Sequence, residues 1–280
     1  MKRRFVLVNY HIFKNAGTTI EWILERNFGN ALRVIDEPGE RGVIPNSELL
    51  RMIRKEPHLQ ALSSHHFRLP APKHERYRFL EICLVRHPLD RLQSIYHFYR
   101  RRQGVNEPVD LKAQQSSLPE FLTWLLENRP FEIINPQTCI MGNHGRYFFP
   151  PAPRHLDRAI ACMQELAVTG IVERFDDTLL VAERFLTPVF PQLDLSYVPQ
   201  NARPDRNTQL SDRLDEIRAE CGARLFAELV KCSDLDMELF KATEAELDRR
   251  LQSVRNVDSR RANFDARRAS LADWTKLNIA

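Results

Sequence analysis

Hydrophobic positions along the chain fall into two rhythms. Short β-rich runs occur at Arg4–Tyr10 (RFVLVNY), Leu59–Ser63, Phe79–Val85 (FLEICLV) and Ala167–Val172, and each reads as a buried strand. Between them the spacing turns helical. A glycine turn at Gly17 leads into a helix over Thr18–Phe28, Pro88 opens one running to about Arg102, and another covers Asp176–Phe185. From Ser211 onward apolar residues recur every three or four positions, which predicts helices over Asp212–Lys231 and Asp236–Leu251. Gln103–Ser117 and Met141–Pro153 carry Gly, Asn and Pro without an apolar period and read as surface loops. Pro199–Asn207 reads as a polar, arginine-bearing loop. The alternation predicts an α/β fold with a largely parallel sheet flanked by helices and a helical C-terminal extension. One domain over residues 1–250, followed by a basic helical tail over 251–280, is the simplest division.

Composition narrows the class. Of 280 residues 43% are hydrophobic and 28% charged, enough for a sizeable core, so disorder over the whole length is excluded. The net charge is +4, and the tail supplies +3 of it through Arg255, Arg260, Arg261, Arg267, Arg268 and Lys276 against Asp258, Asp265 and Asp273. The rest is near neutral. That argues against a nucleic-acid partner and leaves room for a local cationic pocket. No apolar run approaches the roughly 20 residues of a membrane span, and Phe5–Val8 is too short for a signal peptide, so a soluble, cytoplasmic protein is expected. Five cysteines stand far apart with no CxxC pair, and there is no HExxH. Reduced thiols and no zinc site are expected.

The first strand runs into His11-Ile12-Phe13-Lys14-Asn15-Ala16-Gly17-Thr18-Thr19. A helix N-terminus offers unpaired N–H groups and the positive end of a dipole, and so attracts anions. Gly17 lets the backbone approach, Lys14 adds a mobile charge, and Thr18 and Thr19 add hydroxyls. These are the parts of a phosphate cradle on a P-loop-like sheet. It is not a Walker A loop, because the lysine precedes the glycine. A plain βα turn capped by threonine is the competing reading.

This loop resembles the 5′-phosphosulfate-binding loop of sulfotransferases that use 3′-phosphoadenosine 5′-phosphosulfate (PAPS). In that family the pattern is close to Pro-Lys-Thr-(Gly/Ala)-(Gly/Ser)-Thr-(Ser/Thr). Phe13 stands where proline is usual and Asn15 where threonine is common, and neither change removes a charge. A second stretch, Cys83-Leu84-Val85-Arg86-His87-Pro88 with Ser94 eight residues after Arg86, resembles the family's 3′-phosphate segment, with His87 in place of aspartate. Arginine at a strand end can fork onto a phosphate dianion, and serine about two helical turns inward can add a bond. A surface salt bridge is the competing reading for Arg86 alone.

A third stretch, Ser63-Ser64-His65-His66-Phe67, follows a strand about 20 residues before Arg86. It resembles the Gly-His element of uronyl and heparan sulfate 2-O-sulfotransferases and bacterial relatives, where the histidine is the base. His65 matches that place best, and His66 lies one residue away. Downstream, Leu166–Phe175 resembles the family's Val-Gly-Val-Thr-Glu segment, and Asn201, Arg203 and Arg206 fall in the loop that closes over the nucleotide in the family. The resemblance spans residues 4–245 and marks 1–250 as a sulfotransferase domain.

The resemblance implies transfer of a sulfuryl group from PAPS to a hydroxyl, with PAP (adenosine 3′,5′-bisphosphate) as product and no metal required. Lys14 and His65 are the catalytic candidates. Lys14, Asn15, Ala16, Gly17, Thr18, Thr19, Arg86, Ser94 and Arg203 are the donor-binding candidates. Closeness to the 2-O-sulfotransferases points to a carbohydrate acceptor, a glycan or glycolipid. Two rival readings are a nucleotide kinase or NTPase on a similar sheet and a non-catalytic module for anionic glycans. The first wants a lysine after the glycine and a Mg²⁺-binding aspartate; the second has no need of Lys14 and a histidine base together.

Overall fold

A computed structural model describes residues 3–36, 42–142, 151–200 and 207–279, with side chains as far as Trp274. Asn201, Arg203 and Arg206 lie outside the described residues. In chain order the elements are β1 (Arg4–Tyr10), α1 (Gly17–Phe28), β2 (Leu32–Val34), α2 (Asn46–Lys55), β3 (Ala61–Ser64) and β4 (Tyr77–Val85). Then come α3 (Pro88–Arg101), α4 (Pro108–Gln115), α5 (Leu118–Asn128), α6 (Pro136–Gly142), α7 (Pro153–Glu165), β5 (Val168–Ile171) and α8 (Phe175–Leu186). The chain finishes with α9 (Leu210–Cys232), α10 (Asp234–Gln252) and α11 (Val257–Ile279).

The five strands form one parallel sheet in the order β2-β3-β1-β4-β5, as the βα alternation predicts. β1 is central because consecutive residues Val6, Leu7 and Val8 are all fully buried, and only a strand covered on both faces needs apolar neighbours in sequence. Val6 and Val8 face a core completed by Leu49 and Ile53 of α2, Met163 of α7 and Leu247 of α10. Leu7 faces the other core, with Ile23 of α1, Leu180 of α8 and Phe264 of α11. A third cluster joins α3, α4, α5 and α9 around Tyr96, Phe121 and Ile217 beyond the sheet's C-terminal edge. The chain leaves β1 towards β2 on one side, whereas β4 leads to β5 on the other. The crevice at the C-terminal ends of β1 and β4 is therefore a topological switch point, where open α/β sheets bind ligands.

Three expectations need correction. Gln103–Ser117 is not all loop, since α4 occupies Pro108–Gln115. Only Val109 and Ala113, one turn apart, are buried apolar residues there, so its sequence period is faint. Met141 and Gly142 belong to α6 and Pro153 opens α7, while residues 143–150 between them lie outside the described set. The long helix after Ser211 is broken at Gly222, whose φ of 71° and ψ of 164° are non-helical and suit glycine. The elements β2, α2, α5, α6 and α7 had no counterpart in the sequence reading. Among the described residues no helix is long and apolar enough to cross a membrane. All five cysteines are free thiols, with Cys83 and Cys139 buried.

Candidate active site

The loop after β1 is held in an unusual backbone shape. Lys14 and Ala16 both take positive φ, 65° and 62°, in the left-handed region that non-glycine residues seldom enter. Ala16 precedes α1 without a side-chain cap, and no acid stands in the first turn. The amides of Gly17 and Thr18 find no backbone acceptor among the described residues outside the helix. Their N–H groups and the positive helix end therefore suit an anion, and Thr18 is exposed beside them.

Gly17 has a second reason to be glycine. A Cβ at this position would lie 1.8 Å from the His11 ring, so the imidazole packs where a side chain would stand. Asn15 turns inward instead of offering donors to a ligand. Its N–H donates to the Ile12 carbonyl, and its amide group donates to the Leu84 carbonyl at 2.8 Å and to Gln137 Oε1 at 2.7 Å. Asn15 braces the loop against β4. Thr19 is buried, and its hydroxyl accepts from the Gln200 N–H at 3.3 Å.

Lys14 has no carboxylate partner among the described residues. Its Nζ sits 4.5 Å from the centre of the Phe98 ring and 5.7 Å from that of Phe13. Burial, then the charges of Arg86, Arg101 and Arg91, pull its pKa down to about 8. Ser94, Phe98 and Arg101 recur at helical spacing on one face of α3, so Ser94 lies on the row that meets Lys14. The Ser94 hydroxyl, half-buried, has no partner among the described residues.

Arg86 is embedded differently. It is 6% exposed; its Nε donates to Asp90 Oδ2 and its Nη1 to the Lys14 carbonyl, both at 2.8 Å. Asp90 in turn accepts from Arg213 Nε at 2.8 Å, and Arg213 also donates to the carbonyls of Asn207 and Thr208. Gln137 bonds both backbone groups of Arg86, accepting its N–H at 2.9 Å and donating to its carbonyl at 2.8 Å. The two loops are thereby one assembly. At position 87, where aspartate is usual in the resemblance, the His87 N–H donates to Glu173 Oε1 at 3.0 Å and its ring packs on Phe240. Burial first, then the Asp90 charge, raises the Glu173 carboxyl to about 7.

His65 closes the other flank of the crevice. Its Nδ1 lies 2.7 Å from the His11 carbonyl, which can only accept, so the proton is on Nδ1 and the lone pair on Nε2. The rings of His65 and His11 stack with centroids 3.7 Å apart. Burial and then the His11 charge push the His65 pKa down to about 4. His11 is fixed by Glu21 Oε1 at 2.9 Å, and Glu21 also accepts from the Ser63 hydroxyl at 2.7 Å. Burial works against the Glu21 anion, but these bonds hold its pKa below the usual carboxylate range. Phe13 ties the flanks together, its ring 6.4 Å from His65 and 5.1 Å from Phe98. His66 is buried on another side, where its Nδ1 donates to the Gly42 carbonyl at 2.9 Å. The crevice thus gathers Lys14, the start of α1, His65, Arg86 and Ser94, whereas Arg203 lies outside the described residues.

Sequence reasoning missed His11, Glu21, Gln137, Glu173 and Arg213. Two of them carried a signal: His11 stands three residues before the loop lysine, and Glu173 falls on the glutamate of the Val-Gly-Val-Thr-Glu resemblance. The site thus joins a lysine-bearing loop after the first strand of a parallel sheet to a clasped arginine after the fourth. The chain belongs to the sulfotransferase family, whose sequence model matches residues 1–241. It is also 26% identical over 247 residues to an uncharacterised protein of Archaeoglobus fulgidus, in a match covering 85% of this chain and 95% of that one.

Proposed function

We propose that the protein transfers a sulfuryl group from PAPS to a hydroxyl of a carbohydrate. The observation that carries this reading is Lys14: a half-buried ammonium without an acid partner among the described residues, set between an uncapped helix start and the Ser94 row. PAPS, when bound, supplies an activated sulfuryl group. The N–H groups at the start of α1 with Thr18 suit its 5′-phosphate, and Arg86 with Ser94 suits its 3′-phosphate. His65 Nε2 takes the acceptor proton as the acceptor oxygen bonds to sulfur. The bond from sulfur to the bridging oxygen breaks, and Lys14 stabilises charge gathering on that oxygen. Position supports His65 over His66 in this role: both rings donate Nδ1–H to a carbonyl, but His65 stacks on His11 and faces Phe13 at the crevice, while His66 is buried towards Gly42. The carbohydrate acceptor rests on the resemblance to 2-O-sulfotransferases.

Thermal unfolding with candidate nucleotides tests the donor. PAP is expected to raise the Tm, while ATP–Mg²⁺ leaves it unchanged. Stabilisation by ATP–Mg²⁺ alone would return the nucleotide-kinase reading. Stabilisation by sulfated glycan with no response to PAP would favour the binding module.

A further inference from the structure

Helix α11 lies beyond the residues the family model matches, yet it is built into the core. Phe264 is fully buried in the cluster that includes Leu186, Leu195 and Tyr197. One turn later, Arg267 donates to Glu183 Oε1 at 2.7 Å and to Asp194, and Arg268 donates to Asp176 Oδ2 at 2.5 Å. The Arg268 guanidinium also lies 4.3 Å from the centre of the Tyr197 ring, and the Tyr197 hydroxyl donates to the same Asp176. The two arginines thus grip segment 193–200 at Asp194 and Tyr197.

The same segment is also tied to α1, whose Arg26 donates to Asp194 Oδ2 beside the Oδ1 that Arg267 holds. The Asp194 N–H donates to Asn27 Oδ1, and Asn27 and Arg26 both donate to the Asp194 carbonyl, each at 2.8 Å. At its far end the Gln200 N–H reaches the hydroxyl of Thr19, inside the anion loop. A strap therefore runs from α11 through Asp194 and Tyr197 to the start of α1. We propose that Arg267 and Arg268 are positioning residues for the donor site, holding segment 193–200 so that Thr19 and the first amides of α1 keep their anion-binding geometry. The inference rests on the donor reading above for its ligand, though not for the mechanical link.

The test uses the full chain carrying R267Q/R268Q, with R261Q as control. Arg261 pairs with Asp177 on α8 and touches neither Asp194 nor Tyr197. In R267Q/R268Q, amide exchange is expected to quicken in peptides covering 14–20 and 193–200 and to stay unchanged in β4. Calorimetry should show PAP bound roughly three- to tenfold more weakly, the scale of two lost, partly exposed ion pairs. Lysines at both positions should recover most of that affinity, while R261Q should leave it at the wild-type value. Equal weakening in R261Q and the double variant would reduce α11 to a general stabiliser and overturn the proposal. Unchanged exchange at 14–20 would overturn it too, whatever PAP does. If the wild type ignores PAP but exchange at 14–20 responds, the donor reading fails and the strap stands.

Discussion

Two cations face the same crevice, and their surroundings could hardly differ more. Lys14 meets aromatic rings and other cations and has no acid beside it among the described residues, so its charge is held at a cost and its pKa falls to about 8. Arg86 is clasped by Asp90, the Lys14 carbonyl and, through its backbone, Gln137. The first arrangement is poised to gain from an incoming anion, since an unpaired ammonium is stabilised when negative charge arrives. The second is already stabilised, and Arg86 serves the fold before it serves a ligand. Arg86 is thus a structural tie whatever it binds, whereas Lys14 has no acid partner to lose among the described residues.

The largest effects should fall on the poised side. Lys14→Ala is expected to lower single-turnover transfer by about 10²–10³-fold, with unchanged Tm. His65→Ala should do at least as much by removing the base, about 10²–10⁴-fold, and leave PAP affinity near wild type. His66→Ala should be far milder in transfer, since the His66 ring is buried towards Gly42, away from Phe13 and Lys14. A dead His66→Ala with an active His65→Ala would shift the base by one residue. Near-wild-type transfer by Lys14→Ala would remove the contrast between the two cations.

Arg86→Ala should act on both affinity and fold. Removing one partner of a buried ion pair leaves Asp90 undercompensated, which typically costs about 3–5 kcal/mol; Arg213 still pairs with Asp90 and should hold the loss to the lower end. In chemical denaturation the midpoint should fall without a change in slope. PAP should weaken tenfold or more relative to adenosine 5′-phosphate, because a charged hydrogen bond is worth roughly 1.5–3 kcal/mol. Equal weakening of both nucleotides would leave Arg86 a structural tie only.

The pH profile separates the same groups by a smaller factor. His65 must be neutral to accept a proton, so kcat/KM should fall as pH drops through about 4, not through the ordinary histidine value near 6.5. Lys14 must be charged, so kcat/KM should also fall as pH rises through about 8. Each limb approaches tenfold per pH unit well outside the plateau. In Lys14→Ala the alkaline limb should vanish, and its persistence there would assign it to another group.

Local chemistry was legible in the sequence, and long-range bracing was not. Arg4–Tyr10 matches β1 residue for residue, because an apolar run bounded by a glycine loop needs no distant partner to be read. Lys14 and Gly17 stood out for the same reason, although the packing of His11 on Gly17 was visible only in three dimensions. Phe13 read as a departure from proline, and in the fold it lies between His65 and Phe98. Gln137 gave no signal at all. Its partners, Asn15 and Arg86, lie 122 and 51 residues away in the chain, and a glutamine after Asn-Pro looks like any turn.

The smallest predicted effect concerns Glu173, which supports the clasped side from behind. One oxygen accepts the His87 N–H, and the other is buried without a partner among the described residues. Burial and the Asp90 charge raise its carboxyl to about 7, above the ordinary value near 4.5. Between those two values the folded chain holds a proton that the unfolded chain has lost, so stability should decline as pH rises through that window. Glu173→Gln keeps an acceptor for His87 and cannot ionise, so this part of the decline should disappear. Relative to wild type, its Tm should rise between pH 6 and pH 7 by the equivalent of ~1 kcal/mol, about 2–4 °C. Transfer at pH 7 should change little, since Glu173 touches the backbone of His87 and not the crevice. A Tm difference that stays flat across that range would mean Glu173 remains ionised throughout, with Arg86 balancing both Asp90 and Glu173.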